Sequence, residues 1–171
     1  MTSRDPDEQP VGRDQGSPHR DELVVERVVE VSEAQADALG RLLPQLSEAP
    51  VPDRAALSAI ASSPGTSLVI ARLGEDVVGS LTLVVFAIPT GRRALVEDVV
   101  VDSSVRGRGI GSALVLEALR IAHDAGCRNV DLTSRPSREA ANRLYARAGF
   151  VRRDTNVWRY SFAGPPGMPL D

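Results

Sequence analysis

The sequence predicts an α/β (α+β) domain: a mixed, mostly antiparallel central sheet of about six to seven strands with helices on both faces. Three observations predict it. Apolar runs of strand and helix period follow one another in the order strand, helices, three strands, helix, strand, helix, strand. The first two of the three consecutive strands are separated by Gly74-Glu75-Asp76, a hairpin connection that makes them antiparallel neighbours. The apolar content, 42% of 171 residues, is enough for one buried core and therefore one domain.

Residues 1–22 are polar and rich in Pro, Gly and Asp, so ordering them would go uncompensated, and they are expected to be a disordered acidic leader. The domain proper is expected over 23–162. Leu23–Val29 is a short apolar run suited to a first strand. Ser32 opens a helix with Gln35 at capping-box spacing, and Leu39, Leu42, Leu43 and Leu46 share one face. A second helix follows Asp53, with Leu57 and Ile60 expected to be buried. Strands are expected at Ser67–Arg72, Val77–Phe86 and Ala94–Val101. From Gly109 to Ala125 the period becomes helical, through Ile110, Leu114, Ala118, Ile121 and Ala125, and Gly126 stops it. Val130–Thr133 reads as another strand. Ser137 is expected to cap a last helix running through Ala148, with Gly149 left-handed after it and Phe150 packing back. Val157–Phe162 is expected to close the sheet, and 163–171, ending GPPGMPLD, to be a flexible tail.

Composition removes whole classes of chemistry. All 20 basic residues are arginine, which excludes a Schiff-base lysine and the lysine of a P-loop. One cysteine, Cys127, cannot form an intrachain disulfide and leaves too few thiolates for a zinc or iron–sulfur site. With two histidines, one of them in the leader, neither a histidine metal cluster nor a Ser-His-Asp centre is expected, and no metal is assigned. Beyond the leader the charges balance at 17 of each sign, which argues against nucleic acid as the main partner. No apolar run approaches membrane-spanning length and the N-terminus lacks a signal-peptide pattern, so the expectation is a cytoplasmic protein without a membrane partner.

The informative stretch is Val96–Phe150. Arg106-Gly107-Arg108-Gly109-Ile110-Gly111-Ser112 is a glycine-rich turn running into a helix N-terminus, where unpaired N–H groups and the helix dipole favour an anion by about 0.3–1 kcal/mol. This is the pattern of a diphosphate cradle, with Arg106 and Arg108 placed to screen charge and the glycines to admit a ligand close to the main chain. A dinucleotide fingerprint fits less well: its third glycine falls on Ser112, and five residues part Val101 from Gly107. Glu97 and Asp98 interrupt a valine-rich strand, and alternation sends them to opposite faces. An alkylamine of pKa ~10.4 must lose a proton before it attacks, at a cost of about 4.6 kcal/mol at pH 7. Glu97, directly or through a water, is the candidate base; pairing with Arg92 or Arg93 is the competing assignment. Asn142 and Tyr145 are three residues apart on one helical face. The Tyr145 hydroxyl can supply a proton to a departing thiolate, or can serve as core beside Ala141, Leu144 and Ala148.

These residues give the chain a resemblance to the GNAT superfamily of acyl-CoA-dependent N-acetyltransferases, whose phosphate loop reads Gln/Arg-x-x-Gly-x-Gly/Ala. Arg106, Gly109 and Gly111 fit that pattern, and the Asn142-x-x-Tyr145 helix ending in Gly149-Phe150 continues it. The resemblance implies acetyl-CoA as acyl donor, held by Val99, Val100, Val101, Arg106, Gly107, Arg108, Gly109, Ile110, Gly111, Ser112 and Asn142. It implies that the strand bearing Val99–Val101 splays from its neighbour near Leu132–Ser134, so that the pantetheine arm pairs with free main-chain groups. It further implies direct attack by an amine, with Glu97 and Tyr145 as acid–base pair and N–H groups near Val99 polarising the thioester. The Val-Glu-Asp-Val-Val-Val stretch is similar to that of glucosamine-phosphate N-acetyltransferases. The expected acceptor is a primary amine of a small molecule, an amino acid, polyamine or amino sugar. Acetylation of a protein N-terminus or lysine, and coenzyme binding without catalysis, are the alternatives. A homodimer is expected from the superfamily and from the need to cover sheet edges.

Overall fold

The computed structural model describes residues 22–160; the expectations for the leader and the tail fall outside them, apart from Glu22. The elements are β1 (Leu23–Val28), α1 (Glu33–Leu42), α2 (Arg54–Ser62), β2 (Thr66–Leu73), β3 (Asp76–Ile88), β4 (Gly91–Val101), α3 (Ile110–Asp124), β5 (Val130–Leu132) and α4 (Glu139–Arg147). Strands lie in chain order, the first four antiparallel and β5 parallel to β4. The sheet thus has five strands, not six or seven, among the described residues. The missing one is the closing strand expected from Val157: residues 151–160 form no regular element, and Val157 and Trp158 are 73% and 90% exposed. With β5 only three residues long, little ladder is available for a further strand to pair with.

Alternation along β2 divides the core into two layers. Leu68 and Ile70 face α1 and α2, with Leu39, Leu57 and Ala61, whereas Val69 and Ala71 face α3, with Leu81, Leu83, Leu114 and Val115. The α1 start is a capping box: the Gln35 N–H donates to Ser32 Oγ at 3.2 Å and the Ser32 N–H donates to Gln35 Oε1 at 3.0 Å. The helix gives way after Leu42 to a tight turn, Leu43–Gln45, with Pro44 inside it, so Leu46 leaves the buried stripe and is half-exposed, whereas Leu43, also half-exposed, still packs against that layer of the core. In α2, capped by Asp53, the buried pair is Leu57 and Ala61, four apart. Ile60 sits on the flank of that stripe and is 38% exposed, contrary to expectation. Gly79 is a position the sequence reading passed over: a Cβ there would lie 3.0 Å from Val100 O and 3.1 Å from Leu114 Cδ1, so its absence lets α3 settle on the sheet.

The feature that matters for the site is an irregularity in β4. Ser80 pairs with Val100 but Thr82 pairs with Glu97, so β4 carries one residue more than β3 across this step. Asp98 takes the left-handed conformation, φ +53°, the only non-glycine to do so among the described residues. The bulge reverses the strand's faces. Ala94 and Val96 point to the α3 side before it, and Val99 and Val101 point to that side after it. Simple alternation through Glu97 and Asp98 therefore fails, and both side chains are exposed.

A β-branched residue is poorly tolerated at a positive φ. Asp98→Val is expected to lower stability by about 1–2 kcal/mol in denaturant unfolding, while Asp98→Gly stays close to wild type; equal effects of the two would argue against the bulge.

Candidate active site

Parallel pairing of β4 with β5 covers only Ala94↔Val130, Leu95↔Asp131 and Val96↔Leu132. Past the bulge, β4 has β3 on one edge and an open space on the other. The Asp102 N–H donates to Val78 O at 2.9 Å, so by antiparallel alternation Val100 also pairs toward β3. The peptide groups of Val99 and Val101 then point to the open edge. A cleft of about 820 Å³ occupies that space, lined by Val99, Val100 and Val101, by residues 106–112 except Arg108, and by α4.

At its far end lies the α3 N-terminus. Gly109 caps it with φ +82° and no side-chain hydrogen bond, and the first intrahelical bond runs from the Ala113 N–H to Gly109 O at 3.0 Å. The N–H groups of Ile110, Gly111 and Ser112 are therefore left without helical partners at the cleft wall. Gly107 and Gly109 both have positive φ, and a Cβ on either would meet nothing within 4 Å. The room above the loop is thus open to a ligand. Gly111 differs: a Cβ there would come within 2.8 Å of Leu144 Cδ1, so this glycine also admits α4. Arg106 is anchored by its Nε, which donates to Val101 O at 3.2 Å, and Arg138, Arg143 and Arg147 line the α4 side. An anion here meets helix N–H groups and several guanidinium groups together.

Tyr145 lines the cleft while its ring is half-buried among the α3-side core and packs edge-on against Phe150, centroids 6.0 Å apart. It is core and cleft wall at once. Burial pushes its hydroxyl above the ordinary value of 10.0, against the opposing pull of the Arg138 charge. The helix that carries it ends as the sequence indicates: Gly149 has φ +93° and the Phe150 N–H donates to Tyr145 O at 3.0 Å. Its start does not. Arg138, not Ser137, is the N-cap and makes no side-chain cap bond; Ser137 lines the cleft instead. Asn142 Nδ2 donates to Arg135 O at 3.1 Å and Pro136 O at 3.4 Å, tying α4 to the loop before it, and Asn142 does not line the cleft.

Glu97 also lies outside the cleft lining. Opposite Thr82 in the register, it stands on the sheet face away from α3 and is exposed. Neither neighbouring arginine forms an ion pair with it: Arg92 Nη1 donates to Ala125 O at 2.8 Å. Glu97 and Tyr145 thus belong to opposite faces of the sheet, with the parting of β4 and β5 between them. Gln45 and Leu46, at the end of the turn after α1, line the cleft too. The sequence reading missed them, since neither belongs to a motif.

The profile of the acetyltransferase (GNAT) family matches residues 31–150. The chain belongs to the GNAT acetyltransferase family. A probable glucosamine 6-phosphate N-acetyltransferase 2 of Oryza sativa subsp. japonica is 41% identical over 70 residues, 41% of this chain and 40% of the relative. The chain therefore spans about two fifths of that relative's length. A glucosamine 6-phosphate N-acetyltransferase of Trypanosoma brucei brucei is 33% identical over 132 residues, 72% of this chain and 86% of the relative. N-alpha-acetyltransferase 30 of Xenopus laevis is 31% identical over 102 residues, 59% of this chain and 37% of the relative. The same fold occurs in the crystal structure of an aminoglycoside acetyltransferase from an uncultured soil metagenomic sample, with a TM-score of 0.73, 21% identity and coverage of 83% of this chain and 97% of that one.

Gly109→Val puts a β-branched side chain into the empty space above the loop at φ +82°, so it is expected to abolish calorimetrically detected coenzyme A binding at a stability cost of about 1–2 kcal/mol, with the folded far-ultraviolet spectrum retained. Normal affinity in that variant would place the ligand elsewhere.

Proposed function

We propose that this chain transfers the acetyl group of acetyl-CoA directly to a primary amine of a small molecule. The observation that carries the reading is the continuity of three features along one cleft: an open Gly107–Gly109 cradle under unpaired helix N–H groups, a β4 edge that has no strand partner past Val96, and the Tyr145 hydroxyl. A long thioester with an anionic end fits that sequence of groups. The donor would be held at its phosphates by residues 106–112 and along its arm by Val99–Val101, and it supplies an activated acyl carbonyl. Arg108 lies off the cleft wall and would act on the phosphates only through charge.

The chemistry asks three things of the protein. The ammonium must lose a proton, which Glu97 takes directly or through a water from the face away from α3. The carbonyl oxygen needs a donor as the amine adds, and the Val99 N–H, on the open edge by alternation, would supply it. The sulfur then leaves as a thiolate, and Tyr145 protonates it from the α3 face. The hydroxyl holds its proton throughout the neutral range, and burial, by raising it, makes it a weaker acid toward the thiolate than an exposed tyrosine would be. Asn142 serves this arrangement by fixing α4 to its loop.

For the acceptor, the relatives named as glucosamine 6-phosphate N-acetyltransferases support an amino sugar phosphate as the first compound to test. The relative named as an N-alpha-acetyltransferase supports a peptide N-terminus as the second reading. Pairing of two chains is part of the proposal; the open edge of β5 and the exposed Val157 and Trp158 support it.

Acetyl-CoA consumption, read as free thiol, is expected to depend on an added amine, and no amine-dependent release from sugars, polyamines, amino acids or peptides would contradict the reading. Tyr145→Phe and Glu97→Gln are each expected to lose about 10²- to 10⁴-fold in kcat; unchanged rates in both would refute the assigned roles. Activity that needs protonated Tyr145 persists below the hydroxyl's raised pKa and falls as pH rises through it. The wild-type rate should therefore show an alkaline loss beginning above pH ~10, and Tyr145→Phe should lack it.

A further inference from the structure

Gln45 stands where the two helical layers come together. The sheet separates α1 and α2 from α3 and α4, yet the turn after α1 reaches the end of β4, where Gln45 Oε1 accepts the Ser103 N–H at 3.0 Å across 58 residues of sequence. Ser103 begins the short turn, Ser103–Val105, that connects β4 to the cradle. The Asp102 carboxylate starts that turn by accepting the Ser104 N–H at 2.9 Å and the Ser104 hydroxyl at 2.7 Å. These bonds hold it below its usual range, and the Gln45 side chain and the Arg106 charge lower it further. On the other side, Gln45 Nε2 donates to Arg41 O at 3.4 Å, which ties the amide back to α1.

The cradle needs such a tie. Gly107 and Gly109 have no neighbour within 4 Å of where a side chain would begin, so packing at these two positions does not fix the loop. Upstream it is tied by the Arg106 Nε bond to Val101 O and by the turn that Gln45 holds. Gln45 and Leu46 also line the cleft, so the same residue fixes one wall and steadies the loop that ends it.

We propose that Gln45 is a positioning residue for the coenzyme loop, clamping the Asp102–Val105 turn to the α1–α2 connection so that cradle and cleft wall keep one spacing. The proposal rests on the reading of the cleft as the acyl-CoA site. It differs from the motif residues in acting on the loop from outside the motif, through one side-chain amide.

The test is Gln45→Leu in the full chain, which keeps size and removes the amide, with Gln45→Ala as a second variant. The exposed position makes both compatible with folding, to be checked by thermal unfolding. Loss of one hydrogen bond of ordinary strength predicts coenzyme A binding weaker by about 2- to 10-fold in calorimetry. The same factor should appear in KM for acetyl-CoA rather than in kcat, and Ser103 amide hydrogen exchange should quicken. Wild-type affinity in both variants, or weaker binding without faster Ser103 exchange, would overturn the role of Gln45. Absence of coenzyme A binding by the wild-type chain would instead overturn the site reading on which it rests.

Discussion

The arrangement depends on one constraint: β4 keeps its partner on both edges only as far as Val96. A bulge adds a residue opposite β3 and turns Asp98 into the left-handed region, and from there β5 no longer follows. Two results come from the same extra residue. Val99 and Val101 turn their side chains into the α3 core, which anchors the strand, and their peptide groups are left facing an open edge. An unpaired strand edge is ordinarily a liability. Here it is sheltered by α4 and becomes the wall of a cleft.

At the other end of the cleft, a chain without lysine offers an anion main-chain donors and arginine. Main-chain N–H groups at the start of α3 are fixed by the helix and cost no side-chain entropy to position. Arginine adds charge in a planar, multiply donating form, and anchoring Arg106 through its Nε still leaves its terminal nitrogens. The glycines divide the work by conformation and contact. Gly107 and Gly109 supply positive φ and open space, whereas Gly111 lets two helices approach.

Much of this was legible in the sequence because it is local. The Ser32 and Asp53 caps, the Gly109 helix start and the Gly149-Phe150 closure each depend on residues a few positions apart, and the glycine-rich loop is a contiguous pattern. What was not legible is non-local. The bulge exists only relative to β3, so alternation, which holds as far as Glu97, breaks at Asp98. Gln45 gains its role from a partner 58 residues away, and Asn142 turns out to bond its own loop. The closing strand at Val157 has strand composition, but a strand needs an edge to pair with, and composition carries no information about that edge. Ile60 and Leu46 fail for a simpler reason: a stripe of period 3.6 has flanks, and a proline-bearing turn ends it.

On the proposed reading the Val99 and Val101 peptide groups face the cleft and take up the donor's arm as an absent strand would. Amide hydrogen exchange of these two residues, measured with and without saturating acetyl-CoA, tests it most directly. Rapid exchange in the free protein and strong slowing at both amides on binding are expected, with Val100, paired toward β3, little changed. Slowing confined to the α3 N-terminus, with Val99 and Val101 unaffected, would contradict it.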